Sequence, residues 1–151
     1  MLREKITEAT KAAMKSQEKT KLSTLRLMSA AITNADIEAR TAGKKPLSDD
    51  ELLGLFQKLI KQRQESVELY EKGGRAELAK QERDEIEVIK GFLPQQMSEA
   101  EVKAAIAEAI KATGAAGVKD MGKVMAALKQ RYAGRMDFGK ASPIVKGLLS
   151  G

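Results

Sequence analysis

The chain has 151 residues with 27 basic and 21 acidic side chains, a formal charge of +6, and neither Cys nor His. Those two absences exclude thiolate nucleophiles, imidazole bases, disulfides and the usual zinc ligands. Aromatics make up only 3% against 42% hydrophobic residues, so the core must come from Leu, Ile, Val, Met and Ala, an inventory that favours helices over sheets.

The spacing predicts a first amphipathic helix from about Leu2 to Ser16. Met1 to Thr10 is charged and lacks the apolar stretch of a secretory signal, and no segment approaches the roughly 20 apolar residues that span a bilayer. The expectation is a cytoplasmic protein with no membrane partner. A second helix follows after Lys19, with Leu22, Leu25, Met28 and Ile32 at three- and four-residue steps, and it ends before the loop Gly43-Lys44-Lys45-Pro46.

Ser48 and Glu51 have the spacing of a capping box and open a third helix that runs to Gly73-Gly74. Its stripe reads Leu52, Phe56, Leu59, Ile60, Val67 and Tyr70, and Arg63 falls inside it. The fourth helix, from about Arg75 to Lys90, has a stripe of Leu78, Ile86 and Ile89 that includes Glu82 and Glu85. Arg63, Glu82 and Glu85, with Arg26 on the flank of the second helix, read either as an acid/base cluster or as an ionic network that fixes helix register. No nucleophile or metal-ligand set converges on them, so the network is the expectation, with no catalytic residue and no metal.

Leu93-Pro94-Gln95-Gln96 ends this part, because the residue before Pro is pushed out of helical geometry. Ser98 and Glu101 form a second capping-box pattern, and Val102, Ile106 and Ile110 carry a fifth helix to a stop at Gly114. Asp120 is placed to cap a sixth helix with an inner face of Met121, Val124, Met125, Leu128 and Tyr132. Ser142-Pro143 reads as N-cap and first residue of a short terminal helix carrying Ile144, Val145, Leu148 and Leu149. The expected fold is all-α, a helical N-terminal domain over residues 1–94 followed by a small three-helix domain over 98–151.

Charge is distributed unevenly along this order. Residues 1–45 carry +5, residues 46–110 carry −5 and residues 111–151 carry +6. In the last segment Lys119 and Lys123 project away from the apolar stripe of the sixth helix, Lys129 and Arg131 flank it, and Arg135 and Lys140 continue into the loop beyond. Such a block points to a polyanion. The Gly-containing runs at Gly114 to Gly122 and Gly134 to Gly139 match neither the P-loop nor the dinucleotide fingerprint and follow no strand, so they are read as helix stops and no cofactor is expected.

The run Lys119-Asp120-Met121-Gly122-Lys123-Val124-Met125, then Gly134-Arg135-Met136-Asp137 and Ser142-Pro143-Ile144-Val145, resembles the GatB/YqeY family. Leu22-Ser23-Thr24-Leu25-Arg26, Lys61-Gln62-Arg63, Gly73-Gly74-Arg75 and Leu93-Pro94-Gln95-Gln96 extend the resemblance over nearly the whole chain. Phe138, between Asp137 and Gly139, departs from the family's run. The resemblance implies a free-standing relative of the tail of the GatB component of tRNA amidotransferase, which helps to hold tRNA while Glu-tRNA(Gln) or Asp-tRNA(Asn) is amidated on a separate catalytic domain. Nothing here matches that catalytic domain, so carbon–nitrogen ligase activity with glutamine as donor would attach to this chain only by association. The leading expectation is a non-catalytic module that contacts tRNA or another structured RNA through Lys119, Lys123, Lys129, Arg131, Arg135 and Lys140. Two rivals stand beside it: a helical adaptor docking onto a larger translation-related complex, and an accessory component of amide transfer whose partner supplies the active site.

Overall fold

The computed structural model describes residues 1–150. Among them are seven α-helices, one 3-10 turn and no strand: α1 (Leu2–Ser16), α2 (Lys19–Thr41), α3 (Asp49–Lys72), α4 (Ala76–Lys90), α5 (Glu99–Thr113), the turn at Val118–Asp120, α6 (Met121–Tyr132) and α7 (Phe138–Ser150). The chain divides into two compact units, Met1–Leu93 and a second that begins at Pro94.

Helix boundaries follow local chemistry. Ser48 Oγ accepts from Glu51 N at 3.3 Å, and the Glu51 carboxylate accepts from Ser48 N at 3.1 Å. Ser98 and Glu101 repeat the exchange at the start of α5. Each box satisfies two backbone N–H groups that the helix itself leaves unpaired, and a cap of this kind is worth about 1 kcal/mol. At the other end of α5, Gly114 takes φ 66°, with Ala115 N bonded to Ile110 O and Gly114 N to Lys111 O. That pairing of the last carbonyls requires a left-handed residue, for which Gly has no Cβ penalty.

Two expected helix starts are corrected. The Asp120 side chain makes no capping bond to α6; its carboxylate turns back and accepts from Ala116 N at 3.0 Å. The terminal helix begins at Phe138, not at Pro143, because Asp137 Oδ1 accepts from Gly139 N at 2.9 Å and from Lys140 N at 3.4 Å. An Asp cap upstream thus overrides the Ser-Pro signal, and Pro143 lies inside the helix. Lacking an N–H, Pro143 leaves the carbonyl four residues back, that of Gly139, without its helical donor.

In the first unit Leu25, Met28, Leu52, Phe56 and Ile89 are fully buried in one core with Ile6, Ala13, Ile32, Ile60 and Ile86. Phe92 meets Phe56 edge-on at 6.5 Å between ring centroids. A clamp that sequence patterning did not indicate fastens the open end: Arg3 donates to both carboxylate oxygens of Asp36, at 2.7 and 2.9 Å, and to Leu47 O at 2.9 Å. Asp36 also accepts from Leu47 N, so one carboxylate ties α1, α2 and the loop before α3. The Arg3 guanidinium and then the Leu47 amide hold that carboxyl below its ordinary range.

The packing of α4 along α3 contains charge. Arg63 Nε donates to Glu85 at 3.1 Å with both side chains nearly buried, and the guanidinium also donates to Leu59 O at 3.2 Å. Glu82 lies one turn earlier on α4. Its desolvation, then the negative charge of Glu85, push its carboxyl above the ordinary 4.5 against the opposing pull of Arg63. Arg26 takes no part. It stands two positions before the buried Met28, about 200° around the helix, and is exposed on the outer face of α2. Among the described residues it makes no ion pair.

Breaking one half of a buried pair costs more than the pair contributes, because the remaining charge is stranded. Arg63→Met is therefore expected to lower stability by about 3–5 kcal/mol in urea denaturation, and Arg63→Met combined with Glu85→Leu to recover at least half of that loss. An additive double variant would disprove the coupling. Glu82 behaves oppositely: with its folded-state pKa raised, the native protein binds the extra proton, and its charge costs stability above that pKa. Glu82→Gln should raise the urea midpoint at pH 7, and the advantage should vanish as pH falls below 4.5, where both folded and unfolded chains are protonated.

Candidate nucleic-acid interface

The second unit is built on Ile106, Val124, Leu128 and Val145, all fully buried, with Ala105, Ala109, Met136 and Ala141 around them. The small residues on α5 allow α6 and α7 to approach closely. Met121, Met125, Tyr132 and Phe138 pack partly buried at the edge, so Phe138, the departure noted in the sequence, serves as the first apolar contact of α7. With Val124 and Leu128 turned inward, α6 must present its opposite side to solvent. Lys123 and Lys129 bracket that side, whereas Arg131, three residues beyond Leu128, emerges at the end of the helix toward Glu108 of α5, and all three are exposed.

Lys119, on the 3-10 turn, and Lys140, in the first turn of α7, are also exposed. The turn packs against both α6 and α7, so these cations stand on three successive, mutually packed elements of one unit. Counter-charge is thin there. Of the two acidic residues in 111–151, Asp120 is bound to the Ala116 amide and Asp137 to the first amides of α7. The Ala116 N–H, before the nearby Lys123 and Lys119, holds the Asp120 carboxyl below its ordinary range. Lys123 Nζ stands 3.9 Å from Asp120, and Arg131 stands 3.6 Å from Glu108 of α5, with both cations in open solvent. Exposed pairs of this kind are worth about 0–1 kcal/mol.

Arg135 has a different placement. Its Nε donates to Gln95 O at 3.1 Å and its guanidinium lies 6.0 Å from the Tyr132 ring centroid. Its own carbonyl accepts from Met97 N at 2.9 Å, while Gln96 Nε2 donates to Gly134 O and Pro94 O. Arg135 is thus a strap holding residues 94–97 to the α6–α7 loop, with its side chain only half exposed. The signal in the sequence was the paired occurrence of Leu93-Pro94-Gln95-Gln96 and Gly134-Arg135, which spacing arguments could not connect across 38 residues.

Among the described residues no group of three or more carboxylates could hold a metal ion, and no helix is long and apolar enough to cross a membrane. The ionic residues Arg63, Glu82 and Glu85 belong to the first unit and form no part of this surface.

Comparison with known proteins places these features in a lineage. The chain is 37% identical over 98 residues to altered inheritance of mitochondria protein 41 of Lachancea thermotolerans, covering 64% of this chain and 51% of that protein. To the protein of the same name from Eremothecium gossypii it is 35% identical over 83 residues, 55% of this chain and 44% of that one. An uncharacterized protein of Schizosaccharomyces pombe is 32% identical over 87 residues, 57% and 67% of the two chains. The chain therefore spans about half the length of the first of these relatives. Their names correct the cytoplasmic expectation, since those carrying the number 41 are mitochondrial proteins. Met1 to Thr10 leads into and forms much of α1, so its charge pattern reports on that helix and not on a compartment. A family described as Yqey-like protein matches residues 3–149, a span that takes in the Arg63–Glu85 pair and the Arg135 strap alike, and the chain belongs to the YqeY-like family.

Proposed function

We propose that the chain is a non-catalytic RNA-binding protein whose C-terminal domain, residues 98–151, holds tRNA or a similarly structured RNA, with residues 1–94 as a separate helical domain. One observation supports this above the others: Lys119, Lys123, Lys129, Arg131 and Lys140 are exposed on neighbouring elements, while the two carboxylates of residues 111–151 are bound to backbone amides and Glu108 of α5 meets Arg131 only in open solvent. The resemblance to the tRNA-holding tail of the amidotransferase GatB component agrees with it. Arg135, included in the contact set by sequence, is reassigned to positioning the loop that leads to Lys140. Few aromatics accompany the cations, so phosphate contact and shape, not base stacking, would carry the binding. The amide-transfer chemistry of the larger enzyme is not part of the proposal.

Each phosphate neutralised releases counterions and steepens log affinity against log salt by about 0.9 for duplex nucleic acid. Five cations, not all engaged at once, should give tRNA a slope of about −3 to −4. Replacing Lys123, Lys129 and Lys140 together by Gln should flatten it by about two units or more with the circular dichroism spectrum unchanged. Fluorescence titration at several salt concentrations measures this. Identical binding by the triple variant, or no preference for tRNA over random single strands, would transfer the surface to the adaptor reading. Separately, purified protein incubated with Glu-tRNA, ATP and glutamine is expected to leave the acyl group unamidated; product formation free of contaminating enzyme would refute the non-catalytic assignment.

A further inference from the structure

α2 carries two registers of side chains. One, through Leu25, Met28 and Ile32, is buried in the first core. The other consists of Ser23, Leu27, Ala30, Asn34, Ile37 and Thr41, spaced by alternating steps of four and three residues, and all six are exposed. Leu27 is 49% and Ile37 58% exposed. Alternating steps of this kind define the seam along which two helices pair, with Leu27, Asn34 and Thr41 at a positions and Ser23, Ala30 and Ile37 at d positions. Ser23 and Ala30 are small enough for a second backbone to come close, and a single Asn at an a position is a device that specifies register.

The flank of this seam identifies the occupant. The g positions are Lys19, Arg26, Thr33 and Arg40, all exposed, and among the described residues none of the three cations makes an ion pair. No acidic residue occurs between Lys19 and Ala35. On the other flank the e positions are Thr24, which is buried, Ala31 and Glu38, so a second copy gives the cations no match: antiparallel pairing would set Arg26 near Arg40 of the other copy, and parallel pairing would set Arg26 against Ala31 and Glu38 against Thr33. A nucleic acid would use the cations but not Leu27 or Ile37.

We propose that the outer face of α2 docks an acidic amphipathic helix of a partner protein, its apolar stripe against Leu27, Ala30 and Ile37 and its carboxylates against Lys19, Arg26 and Arg40. This stands on the first unit and is independent of the RNA-binding reading of the second. Arg26, outside the ionic pair of the core, has its role here.

The probe is a fluorescein-labelled synthetic helix of about three heptads with Leu at a and d and Glu at e and g, titrated against the full-length chain, beside the same peptide with Lys at e and g. The Glu helix is expected to bind at least tenfold more tightly than the Lys helix and to weaken as salt is added. Ile37→Ser and Ala30→Arg, the latter a bulky residue that keeps helix propensity, should each weaken it at least fivefold with unchanged circular dichroism, and Arg26→Gln with Arg40→Gln should do the same. Equal binding of the two peptides, or none, overturns the proposal. So does a concentration-dependent dimer in sedimentation velocity that Ile37→Ser abolishes, which assigns the seam to a second copy. A loss of tRNA affinity in the double Arg variant without loss of peptide affinity overturns it in favour of RNA.

Discussion

Arg63 sits where an aliphatic residue would be expected, between α3 and α4, and a core made almost wholly of Leu, Ile, Met and Ala needs such an anchor. Aliphatic contacts tolerate exchange of one hydrophobic side chain for another of similar volume at small cost. A guanidinium that must meet Glu85 at 3.1 Å and the Leu59 carbonyl at 3.2 Å has far fewer acceptable positions. Desolvation cancels most of the Coulombic gain of such a pair, so its geometric demand, and not net stability, is what distinguishes it from an aliphatic contact. Glu82 shows the limit of the arrangement, because one cation faces two carboxylates and the second is held at a loss.

The same logic recurs wherever helices meet with little apolar area. In the first unit the Arg3–Asp36 fork, with both partners partly exposed, fastens three segments at the margin of the core that Leu2, Ile6 and Ile32 help to form. In the second, Arg135 and Gln96 lace an extended lead to the loop between α6 and α7 through main-chain carbonyls. These are polar fastenings to backbone groups that would otherwise be unsatisfied. Among the remaining cations of α6 and α7, Lys123 and Arg131 make only solvent-exposed ion pairs.

Two outward surfaces with different chemistry result. On the second unit the cations stand on elements whose acidic residues are bound to backbone amides, so charge dominates. On α2 the cations line one edge of an apolar seam, so charge and burial would act together. Membership of the YqeY-like family covers both surfaces. The named relatives extend well beyond the matched segment.

Periodicity and caps by themselves determined the all-α class, the limits of α1 to α5 and the burial of Leu25, Phe56, Ile106 and Val124, because those depend on residues within one or two turns of each other. The charge block at 111–151 was equally legible. Only the tertiary structure decided which charges are free. Arg26 and Arg63 both lay near apolar stripes, and α4 packs so that one meets Glu85 while the other faces solvent. Asp120 and Asp137 both had the chemistry of helix caps; Asp137 does start α7, whereas Asp120 folds back onto Ala116 because the chain enters α6 through a 3-10 turn. Arg135 read as another exposed cation until the lead at 94–97 closed over it. In each case the outcome depended on how the chain folds around the residue, which no local pattern encodes.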